Sequence, residues 1–190
     1  MNKIKPIETW YKGVKFRSRL EARWAVFFDA IGIRYEYEME GFQMEDGTEY
    51  LPDFYLPDLD IWIEVKGIMT GVDQHKIDMF RKSLTHPSYL LVVGPIPPET
   101  ADTLRWVYNT FPGAEYFEMG GANNSWDFPY LPCVCPVCGK VGFEFDGRGG
   151  RVCSHSDDDK GYSYDHPRIR EAYKKARSAR FEHGENGAIV

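Results

Sequence analysis

The spacing of hydrophobic positions changes along the chain, and each change marks a new element. Leu20, Trp24, Phe27, Phe28 and Ile31 recur at i, i+4, i+7, i+8 and i+11. That is one apolar stripe on a helix over residues 18–31, with Gly32 as its stop. Short alternating runs follow at residues 34–38, 41–44, 50–56 and 60–66, rich in Tyr, Phe, Ile, Trp and Val and divided by Asp46-Gly47 and Pro57-Asp58. They read as strands of a meander. Residues 73–84 predict a second helix with Ile77, Phe80 and Leu84 turned inward, and the apolar run at 88–93 fits a buried central strand. A third helix over 99–111 and a strand over 114–119 complete the order α-βββ-α-β-α-β, an α/β domain with a mixed central sheet flanked by helices. Residues 120–132 are rich in Gly, Asn and Pro and read as a linker. A glycine-punctuated cysteine segment comes next. The last element is a helix over 167–183, opened by Pro167 and stopped by Gly184. The expected organisation is a core over 1–120, a linker over 121–132 and a small ribbon with a C-terminal helix over 133–190.

Composition agrees with a packed globule. Of 190 residues 43% are hydrophobic and 15% aromatic, too many for a disordered chain. No apolar run approaches the roughly 18–20 residues that span a bilayer, and residues 1–10 lack the apolar core of a signal peptide. The expectation is a soluble, cytoplasmic protein with no membrane partner. Its net charge of −6 argues, on average, against a nucleic-acid partner. The distribution argues otherwise. Residues 1–23 carry seven Lys/Arg against two acids, residues 24–159 nine against 23, and residues 160–183 seven against three. Two basic ends flank an acidic middle.

That middle holds Pro52-Asp53 and, eleven residues on, Glu64-Val65-Lys66. In a strand Trp62, Glu64 and Lys66 share one face, and Ile61, Ile63 and Val65 the other. A turn near residues 56–59 can fold Asp53 back beside Glu64. Two converging carboxylates with backbone carbonyls and water suit Mg²⁺ or Mn²⁺. Such an ion activates water against a phosphodiester, and a neighbouring lysine stabilises charge in the transition state. By itself the set also describes a solvated strand face carrying a Glu–Lys pair, worth about 0.2–1 kcal/mol.

In this setting Pro52, Asp53, Glu64, Val65 and Lys66 resemble the PD-(D/E)XK nuclease superfamily, with its restriction-endonuclease-like α-βββ-α-β core, over residues 14–119. The resemblance implies Asp53 and Glu64 as metal ligands, Val65 as a ligand through its carbonyl and Lys66 as the catalytic lysine. It also implies a catalytic, metal-facing role for Glu21 in the first helix. Glu21 has a second reading, because Ser18-Arg19-Leu20-Glu21 is a helix capping box. Gln74 and Lys76 are lesser candidates for metal support or phosphate contact, on a helix whose N-cap is expected at Asp73.

All four cysteines (Cys133, Cys135, Cys138 and Cys153) fall within 21 residues, which favours metal over disulfides. Cys135-Pro-Val-Cys138 is a knuckle pattern, and Cys135, Cys138, Cys153 and His155 form the leading set for a structural Zn²⁺, with Cys133 and His166 as alternative fourth ligands. The basic ends offer DNA contacts. They are Lys12, Lys15, Arg17 and Arg19 near Glu21, and an i, i+4, i+7 ridge of Arg170, Lys174 and Arg177 beside the apolar stripe Ile169, Ala172, Tyr173, Ala176. A solubilising helix face is the other reading of that ridge.

The expected activity is a Mg²⁺-dependent deoxyribonuclease cutting double-stranded or branched DNA. A double-strand cut calls for two active sites and hence suggests a homodimer. The alternative is a catalytically silent nucleic-acid-binding or interaction module on the same fold. Within the nuclease class, junction resolution and transposon-type or homing cleavage stay open, since fold alone does not choose among them.

Overall fold

The computed structural model describes residues 6–68, 70–85, 88–97, 131–144, 150–153, 155, 165–181 and 188–189. The third helix and the strand expected over 99–111 and 114–119 lie outside these residues, as do the acidic run 157–159 and Gly184.

The chain opens with a hairpin the periodicity did not predict. β1 (Thr9–Tyr11) pairs antiparallel with β2 (Val14–Phe16) in the register Thr9↔Phe16 and Trp10↔Lys15. Its turn residues, Lys12 and Gly13, both have positive φ, +49° and +83°, as a primed two-residue turn requires. Helix α1 (Arg19–Ile31) follows, with Ser18 as N-cap and Gly32 in the left-handed conformation at its end.

The meander is broken into shorter pieces than its alternation suggests: β3 (Glu36–Tyr37), β4 (Phe42–Gln43), β5 (Glu49–Tyr50), β6 (Phe54–Leu56) and β7 (Ile61–Val65). The single strand expected over 50–56 is two strands, because Pro52 has no N–H to continue a ladder. Helix α2 (Gly71–Ser83) starts earlier than expected. Thr70, not Asp73, is its N-cap, and Asp73 closes a capping box from the third helical position. β8 (Tyr89–Val93) returns parallel to β7, so the main sheet has the order β3-β6-β7-β8 with one parallel pair. β8 ends that order among the described residues rather than lying at its centre.

The two faces of β7 feed two apolar layers. Ile61, Ile63 and Val65 join α1 residues such as Trp24, Phe27 and Phe28. Trp62 joins Ile77, Phe80 and Leu84 from the α2 side, together with Met44 and Tyr50 of the β4–β5 hairpin. The result is a mixed α/β fold with its principal sheet packed on both faces.

The C-terminal region is built into this core. β9 (Leu131–Val134), β10 (Val141–Glu144) and β11 (Gly150–Arg151) form an antiparallel ribbon in the order β11-β10-β9. Leu131 and Pro132, expected in the linker, belong to β9. Val134 and Phe143 bury in the same layer as α1. Helix α3 (Pro167–Ser178) is shorter than expected, giving way to β12 (Ala179–Arg180), which pairs with β13 (Ala188–Ile189). The predicted stripe of α3 is buried against α1, with Tyr173 stacked on Phe27 at 4.5 Å between ring centroids. Arg168 fastens the corner: its Nη1 donates to the Gly139 carbonyl (2.7 Å) and its Nη2 to the Ile31 carbonyl (3.1 Å). It thereby places a cation at the carbonyl end of α1, where the helix dipole favours one. Among the described residues no helix is long and apolar enough to cross a membrane.

Candidate active site and metal centre

The β6–β7 hairpin assembles the carboxylates. β6 and β7 pair as Phe54↔Ile63, and one further step along that register sets Asp53 opposite Glu64. Beyond the end of the backbone ladder the Asp53 carboxylate serves as an acceptor: Val65 N–H donates to Asp53 Oδ2 at 2.7 Å. On the other side of β7, Lys66 N–H donates to the Val93 carbonyl (2.8 Å), so the residue after the strand is still held by the sheet.

These residues line one cleft of about 450 Å³, shared with Glu21, Arg17, Tyr50, Asp73 and Lys76. Glu64 and Glu21 are buried, at 4% and 7% exposure, as is Asp53 at 9%. Glu64 Oε1 lies 2.7 Å from the Lys66 ammonium, and Glu64 Oε2 accepts from the Tyr50 hydroxyl at 2.7 Å. Glu21 lies both in the first turn of α1 and in the lining of the cleft. Its N–H donates to Ser18 Oγ (3.2 Å), while its carboxylate accepts from the Ser18 hydroxyl (2.6 Å), Arg17 N–H (3.1 Å) and the Tyr37 hydroxyl (2.6 Å). Ser18 thus caps α1 on the Glu21 N–H, while the Glu21 carboxylate takes the N–H of Arg17 rather than that of the cap residue and lines the cleft.

The electrostatics follow from burial. Asp53 is pushed well above the ordinary carboxylate range, first by burial, then by the charges of Glu64 and Glu21, with Val65 N–H and Lys66 acting the other way. Burial also raises Glu64 against the opposing pull of Lys66 and Tyr50. For Lys66 burial acts downward, but Glu64 and Asp73 outweigh it and hold the ammonium above the usual lysine value. Burial, reinforced by the neighbouring carboxylates, raises the Tyr50 and Tyr37 hydroxyls, so they stay protonated and keep donating.

Asp53 therefore acts against stability near neutral pH. Its raised value in the fold means that its contribution is complete below about pH 4, the unfolded carboxylate range, and is lost as pH rises through the folded value. Asp53→Asn, without added divalent cations, is expected to raise stability at pH 8 by about 1–2 kcal/mol, in the range of single stabilising changes. The gap to the wild type should close toward pH 4. Thermal melts of both proteins across that range check it, and an equal gap at every pH would contradict it.

The second cluster lies in the ribbon. Ligand atoms of Cys135, Cys138, Cys153 and His155 all lie within 4.8 Å of one another, a Cys₃His group placed to hold a metal ion. Among the described residues it is the only group of three or more His, Cys, Asp or Glu gathered this closely. His155 Nδ1 is 3.4 Å from Cys153 Sγ and 4.0 Å from Cys135 Sγ. Tetrahedral zinc with Zn–S near 2.3 Å and Zn–N near 2.0 Å sets such edges at about 3.5 Å, so the donor set fits. The knuckle turn is closed by Cys135 N–H to the Lys140 carbonyl (2.8 Å) and Gly139 N–H to the Cys135 carbonyl (2.9 Å). Burial raises the Cys135 thiol, yet the backbone N–H groups of Cys138 and Val137 outweigh it and favour the thiolate. The two alternative ligands are used elsewhere. Cys133 is buried within the ribbon with its Sγ toward the Gly142 carbonyl (3.8 Å), and His166 caps α3 by accepting from Arg168 N–H (3.2 Å).

The predicted DNA-contact residues divide. Arg17 lines the cleft while pairing with Glu38 at 2.5 Å. Lys12 pairs with Asp29 (2.9 Å) and Lys15 with Glu8 (2.6 Å), and Arg19 sits half-buried in the first turn of α1. The α3 ridge is not a continuous cationic surface. Exposed Arg170 pairs with Asp165, half-buried Arg177 donates to the Pro97 carbonyl (2.5 Å), and Lys174 is exposed. Lys76 is in the cleft wall, donating to the Glu49 carbonyl (3.3 Å), whereas Gln74 is exposed outside the lining. Tyr37, Tyr50 and Asp73 were missed as site residues. Asp73 had a signal in Thr70-x-x-Asp73; the tyrosines read only as strand residues.

Comparisons with protein-family models, with curated proteins and with solved structures found no match.

Proposed function

We propose that the cleft is the active site of a metal-dependent endonuclease that hydrolyses DNA phosphodiester bonds, on a core of the PD-(D/E)XK, restriction-endonuclease-like kind. One observation carries the reading: the hairpin register sets Asp53 across from Glu64, and Lys66 lies on the same cleft beside them. Buried carboxylates that repel one another weaken the fold, and a bound cation is the natural compensation. The proposed donors are all oxygen: two carboxylates, and the carbonyl that Val65, in the same lining, would contribute. Mg²⁺ suits such a set, because it retains waters and uses one or two carboxylates rather than a closed protein cage. When bound there, the ion would acidify a water and neutralise charge on the phosphate.

The chain's own groups supply the rest. Glu64 and Asp53 would hold the cation, with Tyr50 fixing one Glu64 oxygen and Val65 N–H one Asp53 oxygen. Lys66, charged at neutral pH, is placed to stabilise negative charge developing on the phosphate oxygens. Arg17 and Lys76 line the same cleft and would draw a phosphodiester toward the carboxylates. Lys12, Lys15 and Arg19 lie outside the cleft lining, and are proposed as outlying DNA contacts; the exposed ion pairs of Lys12 and Lys15 are worth about 1 kcal/mol or less and exchange readily for phosphate. Arg170 and Lys174 are the exposed members of the α3 group. The Cys₃His centre is assigned to structural Zn²⁺, four protein ligands leaving no open position for chemistry.

The test is a cleavage panel over single-stranded, linear duplex, nicked, flapped and four-way DNA with Mg²⁺ or Mn²⁺. Metal-dependent cutting of at least one substrate is the expected result. Binding without cutting of any would leave a catalytically silent nucleic-acid module on the same frame.

A further inference from the structure

We infer that Asp73 is a positioning residue that anchors the Lys66 ammonium over the cleft independently of Glu64. The catalytic part of this inference rests on the nuclease reading; the anchoring part does not. Lys66 Nζ lies 2.7 Å from Glu64 Oε1 and 3.2 Å from Asp73 Oδ1. Both Glu64 oxygens are already engaged, Oε1 by Lys66 and Oε2 by the Tyr50 hydroxyl at 2.7 Å. A cation taken up by Glu64 therefore competes with the ammonium for the same carboxylate. Asp73 carries no such conflict. It stands on α2, and its Oδ2 is fixed by the Thr70 backbone N–H (3.1 Å) and the Thr70 hydroxyl. That leaves Oδ1 aimed at Lys66. The capping box that starts the helix thus also sets the direction of the lysine's second anchor. Asp53 is the other charge acting directly on Lys66, and Glu21, Glu49, Arg17 and Lys76 complete the ionisable lining of the cleft.

Asp73→Asn separates the two duties of the side chain. The amide oxygen replaces Oδ2 toward Thr70 N–H and keeps the cap, while the NH₂ group is left facing the ammonium, where it repels. Thr70→Ala does the reverse. It weakens the cap, yet the residue 70 backbone N–H still holds Asp73 in place. Both variants are compared with wild type as full chains loaded with Zn²⁺.

The first measurement is ¹⁵N relaxation of the Lys66 ammonium, without DNA or Mg²⁺. Increased mobility is expected in Asp73→Asn and wild-type restraint in Thr70→Ala, although Thr70→Ala should melt at the lower temperature. The second is steady-state cleavage of the best panel substrate. Asp73→Asn is expected to lower kcat by roughly 10- to 100-fold, the scale of a misplaced catalytic group, with KM changed less than about twofold. An ammonium equally restrained in Asp73→Asn and wild type overturns the anchoring, as does equal loosening in both variants. Wild type that cuts no DNA overturns the nuclease reading, and the relaxation result still decides whether Asp73 holds Lys66.

Discussion

Lys66→Ala is expected to reduce metal-dependent DNA cleavage by at least about 100-fold, the scale on which one preorganised electrostatic group acts. Asp53→Ala and Glu64→Ala are expected to do the same. In each case the protein should stay folded, because Ile61, Ile63 and Val65 secure β7 from one face and Trp62 from the other. The lysine variant is the most informative of the three. It leaves the oxygen donors in place, so metal binding measured alongside separates loss of the ammonium from loss of the ion. Glu64 retains the Tyr50 hydroxyl but loses its counter-charge. Its carboxylate should then take up a proton at higher pH, which limits the cost of burying it. Lys66→Arg should not restore full activity, since a planar fork does not reproduce a compact ammonium. Cleavage at the wild-type rate in both Lys66→Ala and Asp53→Ala would remove the cleft from consideration as an active site.

Removal of metal from the Cys₃His centre should have the largest effect on stability. Binding at such sites carries roughly 10–16 kcal/mol in small zinc domains. Loss of even about 4 kcal/mol lowers the midpoint of a chain this size by about 8–16 °C. The loss should not be confined to the ribbon. Val134 and Phe143 share their apolar layer with Trp24, Phe27 and Phe28, and Arg168 joins the knuckle carbonyl of Gly139 to the last carbonyl of α1. Calorimetry of Cys138→Ser, or of wild type after chelation, should therefore show the whole transition moving down, with zinc content measured alongside. A separate low-temperature ribbon transition with an unmoved main peak would contradict this coupling.

How far the sequence carried the structure varied with the range of the interactions involved. Helix α1 was legible because its stripe, Ser18 cap and Gly32 stop are local signals that agree. The facing of Asp53 and Glu64 was legible because a hairpin turns spacing into register. The first hairpin escaped because two three-residue strands give too few alternations to count, and Lys12 is an unusual residue at positive φ. The partner of Arg177 in the terminal basic ridge was illegible for another reason. The period of the ridge was right, but Arg177 finds the carbonyl of Pro97, a partner 80 residues away that no local pattern announces. Tyr50 and Tyr37 were invisible as site residues because the value of a hydroxyl depends on which buried carboxylate it meets.

The double duty of Glu21 bears on how relatives of this chain should be judged. A side chain that ties Ser18, Arg17 and Tyr37 together at the start of a helix is useful to any descendant, whether or not that descendant still performs chemistry. Drift would retain it. Asp53 is different, because burial and its acidic neighbours oppose its negative charge in the empty fold. A glutamate at the first position is therefore expected in relatives with or without the chemistry, whereas an acid at the second is expected only where the cleft still takes up a cation.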